Sequence, residues 1–147
     1  MHDTQALKDF LQKGDQFARH CGLELVSVAP GRAIARLAVQ PHHLNAIGLV
    51  QGGAIFTLAD FAFAAASNSH GTVAVGINVS ITYQQAARSG VLTAEAQEVA
   101  RHPKLASYTV NVRDAAGQLV AIFQGLVYRK QEPTPPARAP HPPTDGS

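Results

Sequence analysis

The chain has 147 residues and a mass of 15.5 kDa, which suits one domain built around one hydrophobic core. Apolar residues make up 46% of it and charged residues only 15%, a shortage of charged surface that predicts buried contacts between subunits. Its 12 basic and 10 acidic side chains are scattered and Trp is absent, so we expect no nucleic-acid partner.

The N-terminal segment predicts an amphipathic helix from Thr4 to about His20, ended by Gly22. Charged residues occur throughout this segment, which lacks the apolar centre of a signal peptide. The longest uncharged stretch of the chain is interrupted by polar residues and glycines, so we expect no membrane association. The single cysteine, Cys21, cannot form an internal disulfide and agrees with a reducing compartment. Together these features predict a cytoplasmic protein.

Two strand-like runs follow, LELVSVA (23–29) and RAIARLAV (32–39), joined by a predicted hairpin turn at Pro30-Gly31. After a loop, Gly52-Gly53 leads into AIFTLADFAFAAASNS, which predicts a long central helix. Because apolar residues occupy every side of this helix, we expect it to be buried nearly all round.

Four further strands are predicted at 73–83, 91–101, 105–114 and 118–128, separated by short turns that favour antiparallel pairing. The result is an α+β fold in which a six-stranded antiparallel sheet packs against one long helix. We assign this domain to residues 1–130. Residues 131–147 contain six prolines and little that is apolar, so a disordered tail is predicted there.

Asp60 is the only charged residue between Leu44 and Ala87, and it lies inside the most apolar helix. Burying a carboxylate without a partner costs several kcal/mol, unless its pKa rises so that it becomes neutral. The functional interpretation is a general base or nucleophile in a dry pocket. The alternative is a carboxylate that hydrogen-bonds the nearby backbone or faces solvent.

Gly52-Gly53 supplies a second feature, because the first N–H groups of a helix have no intrahelical acceptor and can stabilise an oxyanion. A tight turn into the helix is the plainer explanation. Asp60 lies eight residues beyond Gly52, about 12 Å along a helix, so one helix cannot bring both groups to one carbonyl. If both act on one carbonyl group, the protein must be a homodimer with two composite sites.

The segment HHLNAIGLVQGGAIFTLADFAFAAASNSHG resembles the signature of hotdog-fold thioesterases of the phenylacetic acid degradation (PaaI-like) type. The resemblance continues to about residue 130 and implies a hotdog fold, in which the sheet wraps the central helix. It also implies that two subunits join their sheets side by side and that such dimers commonly pair into tetramers. The residues that occupy the places of the family pattern are Asn45, Gly48, Gly52, Gly53, Asp60, Asn68 and Ser69.

The resemblance implies hydrolysis of an aryl- or medium-chain acyl-CoA to a free acid and CoA, without a metal or other cofactor. Asp60 would activate water or attack the thioester, the Gly52 N–H would bind the carbonyl oxygen, and Asn45 would position the reacting groups. Gln51 stands where the family usually has His, and an amide cannot titrate near neutral pH. It can still donate a hydrogen bond to a carbonyl or hold a loop.

Further polar residues are predicted to contact substrate. Asn78 and Ser80 lie on a strand that the resemblance places along the acyl pocket, and Arg88 and Lys104 could meet the phosphates of CoA. For each of these, an ordinary surface position is the alternative, and His42-His43 is expected to be solvent-exposed. Substrate contacts are therefore predicted at Gly53, Asn68, Asn78, Ser80, Arg88 and Lys104.

Two other functions remain open from the sequence. A hotdog module could bind acyl-CoA or an acyl carrier without turnover, which Gln51 favours. A hotdog hydratase or dehydratase ranks last, because it requires a catalytic histidine and the histidine of the family pattern is absent here.

Overall fold

The computed structural model describes residues 3–135, and the α+β arrangement predicted above is confirmed. Six strands form one antiparallel sheet in the order β1-β2-β4-β5-β6-β3, so that β1 and β3 are its edges. The element bounds are α1 Thr4–Gly14, α2 Gln16–Cys21, β1 Leu23–Ala29, β2 Arg32–Ala38, α3 Gly52–Ser67, β3 Thr72–Tyr83, β4 Val91–Arg101, β5 Leu105–Arg113 and β6 Leu119–Pro133.

The predicted N-terminal helix is two helices rather than one. Asp15 adopts an extended conformation between them, and its carboxylate accepts a hydrogen bond from the Ala18 N–H at 2.9 Å. A short acidic side chain that satisfies a free helical N–H favours starting a new helix over continuing the old one. Gly14, a poor helix former, directly precedes the break.

Gln12 of α1 protects the outer edge strand β1. Its side-chain amide donates to the Leu23 carbonyl at 3.0 Å and accepts from the Leu25 N–H at 2.6 Å. The amide thus pairs with backbone groups that an edge strand otherwise leaves open to another chain.

Helix α3 packs on one face of the sheet, with its aromatic side chains against β5 and β6. The Phe63 ring lies 5.4 Å from the Phe123 ring and 5.8 Å from the Tyr108 ring, centroid to centroid. Gly125 of β6 faces Phe63 so closely that a Cβ there would lie 2.5 Å from the ring. The helix therefore sits tightly on the sheet.

One side of α3 is open in the single chain, so the expectation of burial nearly all round is wrong. Gly53 and Asp60 are exposed and Thr57 is half-buried, and these positions follow one another at helical spacing. The exposed side could not be predicted from composition, because a helix that is apolar all round does not indicate which face meets the sheet.

The boundary of the predicted tail also differs from the structure. Strand β6 continues through Pro133, three residues past the expected end of the domain. Thr134 is buried, and its N–H donates to the Gly71 carbonyl at 3.0 Å. The remainder of the predicted tail, 136–147, lies outside the described residues.

Candidate active site

The N-terminus of α3 is organised by Gln51, the residue that departs from the family pattern. Gln51 is the N-cap, and its side-chain oxygen accepts from the Gly53 N–H at 2.7 Å. Within residues 3–135, no hydrogen bond uses the Gly52 N–H as donor. The cap therefore satisfies one of the free N–H groups and leaves the first one available at the positive end of the helix.

Tyr83, which no sequence pattern marks, fixes the next peptide. Its hydroxyl donates to the Gly52 carbonyl at 2.8 Å. A Cβ at position 52 would lie 3.0 Å from the hydroxyl oxygen, so this close packing favours glycine. Partial burial raises the pKa of Tyr83, which keeps the hydroxyl protonated as a donor.

Asn45 builds the loop that approaches this helix end. Its side-chain oxygen accepts from the N–H groups of Ile47 and Leu49, each at 3.0 Å. Its amide nitrogen has no hydrogen-bond acceptor in the part of the chain that the structure describes. Asn45, Gly52 and Tyr83 line one cavity of about 360 Å³, so the structure brings two of the predicted site residues together.

Asp60 lies elsewhere, in a cavity of about 530 Å³ between α3 and the edge strand β3. The apolar residues Val75, Ile77 and Val79 border that cavity. Asp60 forms no hydrogen bond or ion pair with any other residue in 3–135. Although its side chain is open to solvent on one side, loss of solvent on the helix side raises its pKa, and the negative charge of Asp15 raises it further.

Within one chain, the carboxylate does not share a cavity with Gly52 and Asn45. The two ends of the predicted site are eight residues apart on α3, about 12 Å, and open to different cavities.

Three of the predicted substrate contacts have other roles or positions in this chain. The Gly53 N–H is occupied by Gln51. The Asn68 amide donates to the Ala64 carbonyl at 2.8 Å, and its oxygen accepts from the Ala74 N–H at 3.0 Å, which ends α3. Ser80 is paired with Gln124, whose neighbour in β6 faces α3, so Ser80 lies on the sheet face away from the helix.

Asn78 borders both the cavity that contains Asp60 and a depression of about 380 Å³ that Ser80 also lines. Arg88 and Lys104 are exposed and lie before and after β4. Eleven residues of strand separate them by roughly 36 Å, so one chain does not bring them together. Arg88 is the nearer to Gly52, because Ala87 lines the same cavity.

His43 is buried, which overturns the expectation that both adjacent histidines are exposed. Its Nδ1 accepts from the Gln40 N–H at 2.9 Å, so the hydrogen resides on Nε2, which donates to the Cys21 carbonyl at 2.7 Å. The His43 carbonyl in turn accepts from the Gln51 N–H at 2.8 Å. This imidazole therefore holds α2 and the N-cap of α3 in fixed relation.

No helix within residues 3–135 is long and apolar enough to cross a membrane. No group of three or more His, Cys, Asp or Glu side chains in the same range is arranged to hold a metal ion.

Comparison with known proteins places this chain in a family. Residues 47–121 match the thioesterase superfamily, and the chain belongs to it. A putative esterase of Archaeoglobus fulgidus is 43% identical over 134 residues, covering 90% of this chain and 87% of that protein. Acyl-coenzyme A thioesterase PaaI of Escherichia coli is 31% identical, covering 81% and 86%. Human acyl-coenzyme A thioesterase 13 is 32% identical, covering 80% and 90%.

Solved structures of related proteins also superpose on this chain. The E. coli PaaI protein from the phenylacetic acid degradation operon superposes with a TM-score of 0.85 at 28% identity, covering 88% of this chain and 95% of that one. A Thermus thermophilus PaaI mutant superposes with a TM-score of 0.74 at 37% identity, covering 78% and 98%. The predicted hotdog fold and the resemblance to PaaI-like thioesterases are thereby confirmed.

Proposed function

We propose that this chain is an acyl-CoA thioesterase that hydrolyses an aryl- or medium-chain acyl-CoA to a carboxylic acid and CoA. The observation that carries the proposal is the pair of complementary half-sites on α3. At its N-terminus Gly52, with a free N–H, lines the same cavity as Asn45, and farther along the unpaired carboxylate of Asp60 has a raised pKa. Membership in the thioesterase superfamily supports the reaction class.

The two half-sites require two subunits. The edge strand β3 exposes Val75, Ile77 and Val79 at 42%, 55% and 38%, and one edge of its backbone is unpaired. Such an edge favours pairing with another strand. A second copy paired there would cover the cavity beside Asp60 and present its own Gly52 and Asn45. We therefore propose a homodimer with two composite sites at the interface, pairing again into a tetramer as the family resemblance implies.

In the proposed reaction the thioester carbonyl oxygen accepts a hydrogen bond from the Gly52 N–H. Asp60 of the partner subunit takes a proton from a water molecule, whose oxygen attacks the carbonyl carbon. The Gly52 N–H and the helix end stabilise the oxyanion that forms. The carbon–sulfur bond then breaks, and Asp60 returns the proton to the CoA thiolate. Direct attack by Asp60 is the variant in which the carboxylate acts as nucleophile.

Release of free thiol from a panel of acyl-CoAs tests this assignment. Asp60→Asn removes the base while keeping the shape, and we expect kcat to fall by roughly a hundredfold or more. Asp9→Asn is the matched control, because Asp9 is an exposed carboxylate on α1 bound to Gln5. Turnover that survives Asp60→Asn would contradict the mechanism.

Turnover of no acyl-CoA by the wild type, with acyl-CoA binding intact, would favour the non-catalytic binding module. The Gln51→His variant then tests whether Gln51, which stands where the family usually has His, is the reason that turnover is missing. Activity gained by Gln51→His would identify Gln51 as the cause of the loss.

A further inference from the structure

Helix α3 begins with two glycines, Gly52 and Gly53, and glycine has a freer backbone than any other residue. The proposed oxyanion contact requires the Gly52 N–H to point in one direction, because a donor stabilises an oxyanion best when it is already aimed at it. Two glycines do not fix that direction by themselves. Groups outside the glycine pair must therefore hold this part of the backbone.

The peptide between Gly52 and Gly53 is held at both of its ends. The Gln51 side-chain oxygen accepts from the Gly53 N–H at 2.7 Å, and the Tyr83 hydroxyl donates to the Gly52 carbonyl at 2.8 Å. The Gly52 N–H itself shares a planar peptide with the Gln51 carbonyl, which accepts from the Ala54 N–H at 2.9 Å. The backbone on both sides of the Gly52 Cα is thus restrained.

These restraints differ in where they come from. Gln51 and Ala54 belong to the cap and the first turn of α3 and move with that helix. Tyr83 is instead the last residue of β3, the edge strand at which a second copy is proposed to pair. The tyrosine hydroxyl therefore ties the start of α3 to the strand that forms the proposed interface.

Strand β3 also sets the position of the carboxylate in the proposed homodimer. Asp60 of the partner subunit reaches the site through the pairing of the two β3 strands. One series of contacts then runs from the Gly52 peptide through Tyr83 and β3 to that carboxylate. Misplacing a reacting group by on the order of ~1 Å can lower a rate about a hundredfold, so this series of contacts matters for catalysis.

Tyr83 also lines the Asn45 cavity and is 49% exposed, which places it near the proposed substrate. Its hydroxyl has one hydrogen, and that hydrogen is already donated to the Gly52 carbonyl. The same hydrogen is not available to the carbonyl oxygen of a thioester. This geometry favours an action through the backbone over direct contact with the reacting atoms.

We propose that Tyr83 is a positioning residue, whose hydroxyl holds the Gly52 peptide relative to β3 and thereby aims the Gly52 N–H at the thioester carbonyl oxygen. The catalytic part of this inference rests on the proposed thioesterase function. The structural part, that the hydroxyl holds the peptide, does not.

Tyr83→Phe removes the hydroxyl and keeps the ring. We expect kcat to fall by roughly tenfold in the thiol-release assay, with KM unchanged within about twofold, because the donor is misaligned while the substrate pocket stays intact. Tyr128→Phe is the matched control, since Tyr128 is a 42% exposed tyrosine on β6 that borders none of the cavities described above. A raised KM with an unchanged kcat would show that Tyr83 binds substrate directly. That result, or unchanged kinetics, would overturn the proposal.

Combining Tyr83→Phe with Gly52→Pro tests whether the hydroxyl acts through the Gly52 N–H. Proline is accepted at the first position of a helix and has no N–H to aim. In that background Tyr83→Phe should lower kcat by no more than about twofold, since residues that act as a unit are not additive. A further loss of about tenfold would mean that Tyr83 acts by another route.

Hydrogen exchange gives a readout that needs no turnover. The Gly53 N–H lies in the same peptide as the Gly52 carbonyl, and NMR measures its exchange rate in the intact assembly. We expect exchange to be at least about fivefold faster in Tyr83→Phe and unchanged in Tyr128→Phe. Equal rates would overturn the proposal. If the wild type hydrolyses no acyl-CoA, the proposed function and the catalytic role of Tyr83 both fail, whereas the exchange rates still decide whether the hydroxyl holds the peptide.

Discussion

The Gly52 N–H is the group on which the proposed oxyanion contact depends, and proline can remove it. The first position of a helix accepts proline, and Gln51, with φ −62° and ψ 135°, has the extended conformation required before one. We expect Gly52→Pro to lower kcat by roughly a hundredfold, with a smaller change in KM, as measured by thiol release.

Gly52→Ala controls for the steric part of that change. A Cβ at position 52 meets the Tyr83 hydroxyl at 3.0 Å in either variant, whereas only alanine keeps the N–H. If the two variants lose activity equally, crowding against Tyr83 explains the loss and the N–H is not the oxyanion donor.

The charge on Asp15 should contribute to the acid limit of activity. A general base must be deprotonated. Loss of solvent raises the pKa of Asp60 and the charge of Asp15 raises it further, so activity should fall as pH decreases through a pKa above the ordinary range. Asp15→Asn keeps an oxygen to cap α2 but removes the charge. We expect the acid limb of kcat/KM to move to lower pH at low salt, with a smaller shift at high salt. A limb that stays in place would exclude this coupling.

At the residue scale, the sequence indicated Asp60 as a candidate site residue, because its charge stands alone in an apolar segment. Gln51 was identifiable as a departure, but its role as an N-cap depends on the conformation of the helix start. The roles of His43 and Tyr83 could not be predicted, because their hydrogen bonds join positions 22 and 31 residues apart. Such contacts carry no local sequence pattern.

At the scale of elements, the strands were predictable because alternating side chains and short turns mark them independently of their neighbours. The N-terminal helices were not, since the break at Asp15 competes with helical spacing that continues through it. The end of β6 was hidden by prolines, yet pairing with β3 extends the strand to Pro133. Proline is tolerated here because β6 is no longer paired with β5 beyond Tyr128 and because the pairing with β3 is irregular between Thr72 and Ala74.

The contact between β6 and α3 gives a stability prediction. A Cβ at Gly125 would lie 2.5 Å from the Phe63 ring, so we expect Gly125→Ala to lower the free energy of unfolding by about 1–3 kcal/mol. Urea unfolding measures the change. Gly14→Ala is the control, because a Cβ there meets nothing within 4 Å and should raise helix stability by up to about 1 kcal/mol. An unchanged midpoint of urea unfolding for Gly125→Ala would mean that the Phe63 ring can move away freely.

At the scale of the whole molecule, the exposed side of α3 and the open edge of β3 belong to one surface. The cavity containing Asp60 is bordered by both elements, so a partner that pairs with β3 also closes over the carboxylate. The low content of charged residues, 15%, agrees with such a covered surface. Helix geometry predicted two subunits on the condition that Asp60 and Gly52 act on one carbonyl, whereas the open surface beside β3 became visible only with the sheet order.

Mixing two inactive variants tests whether the site is shared. A heterodimer of Asp60→Asn and Gly52→Pro subunits would contain one site with both defects and one site with neither, if each site takes Asp60 from one subunit and Gly52 from the other. Unfolding and refolding the two variants together should therefore restore about a quarter of wild-type activity, since about half of the dimers are mixed and half of their sites are intact. Each variant refolded alone provides the baseline. A site contained within one subunit would give no recovery, because every subunit in the mixture carries a defect. That result would exclude the composite arrangement. The role of each residue would then be judged from the activity of its own variant.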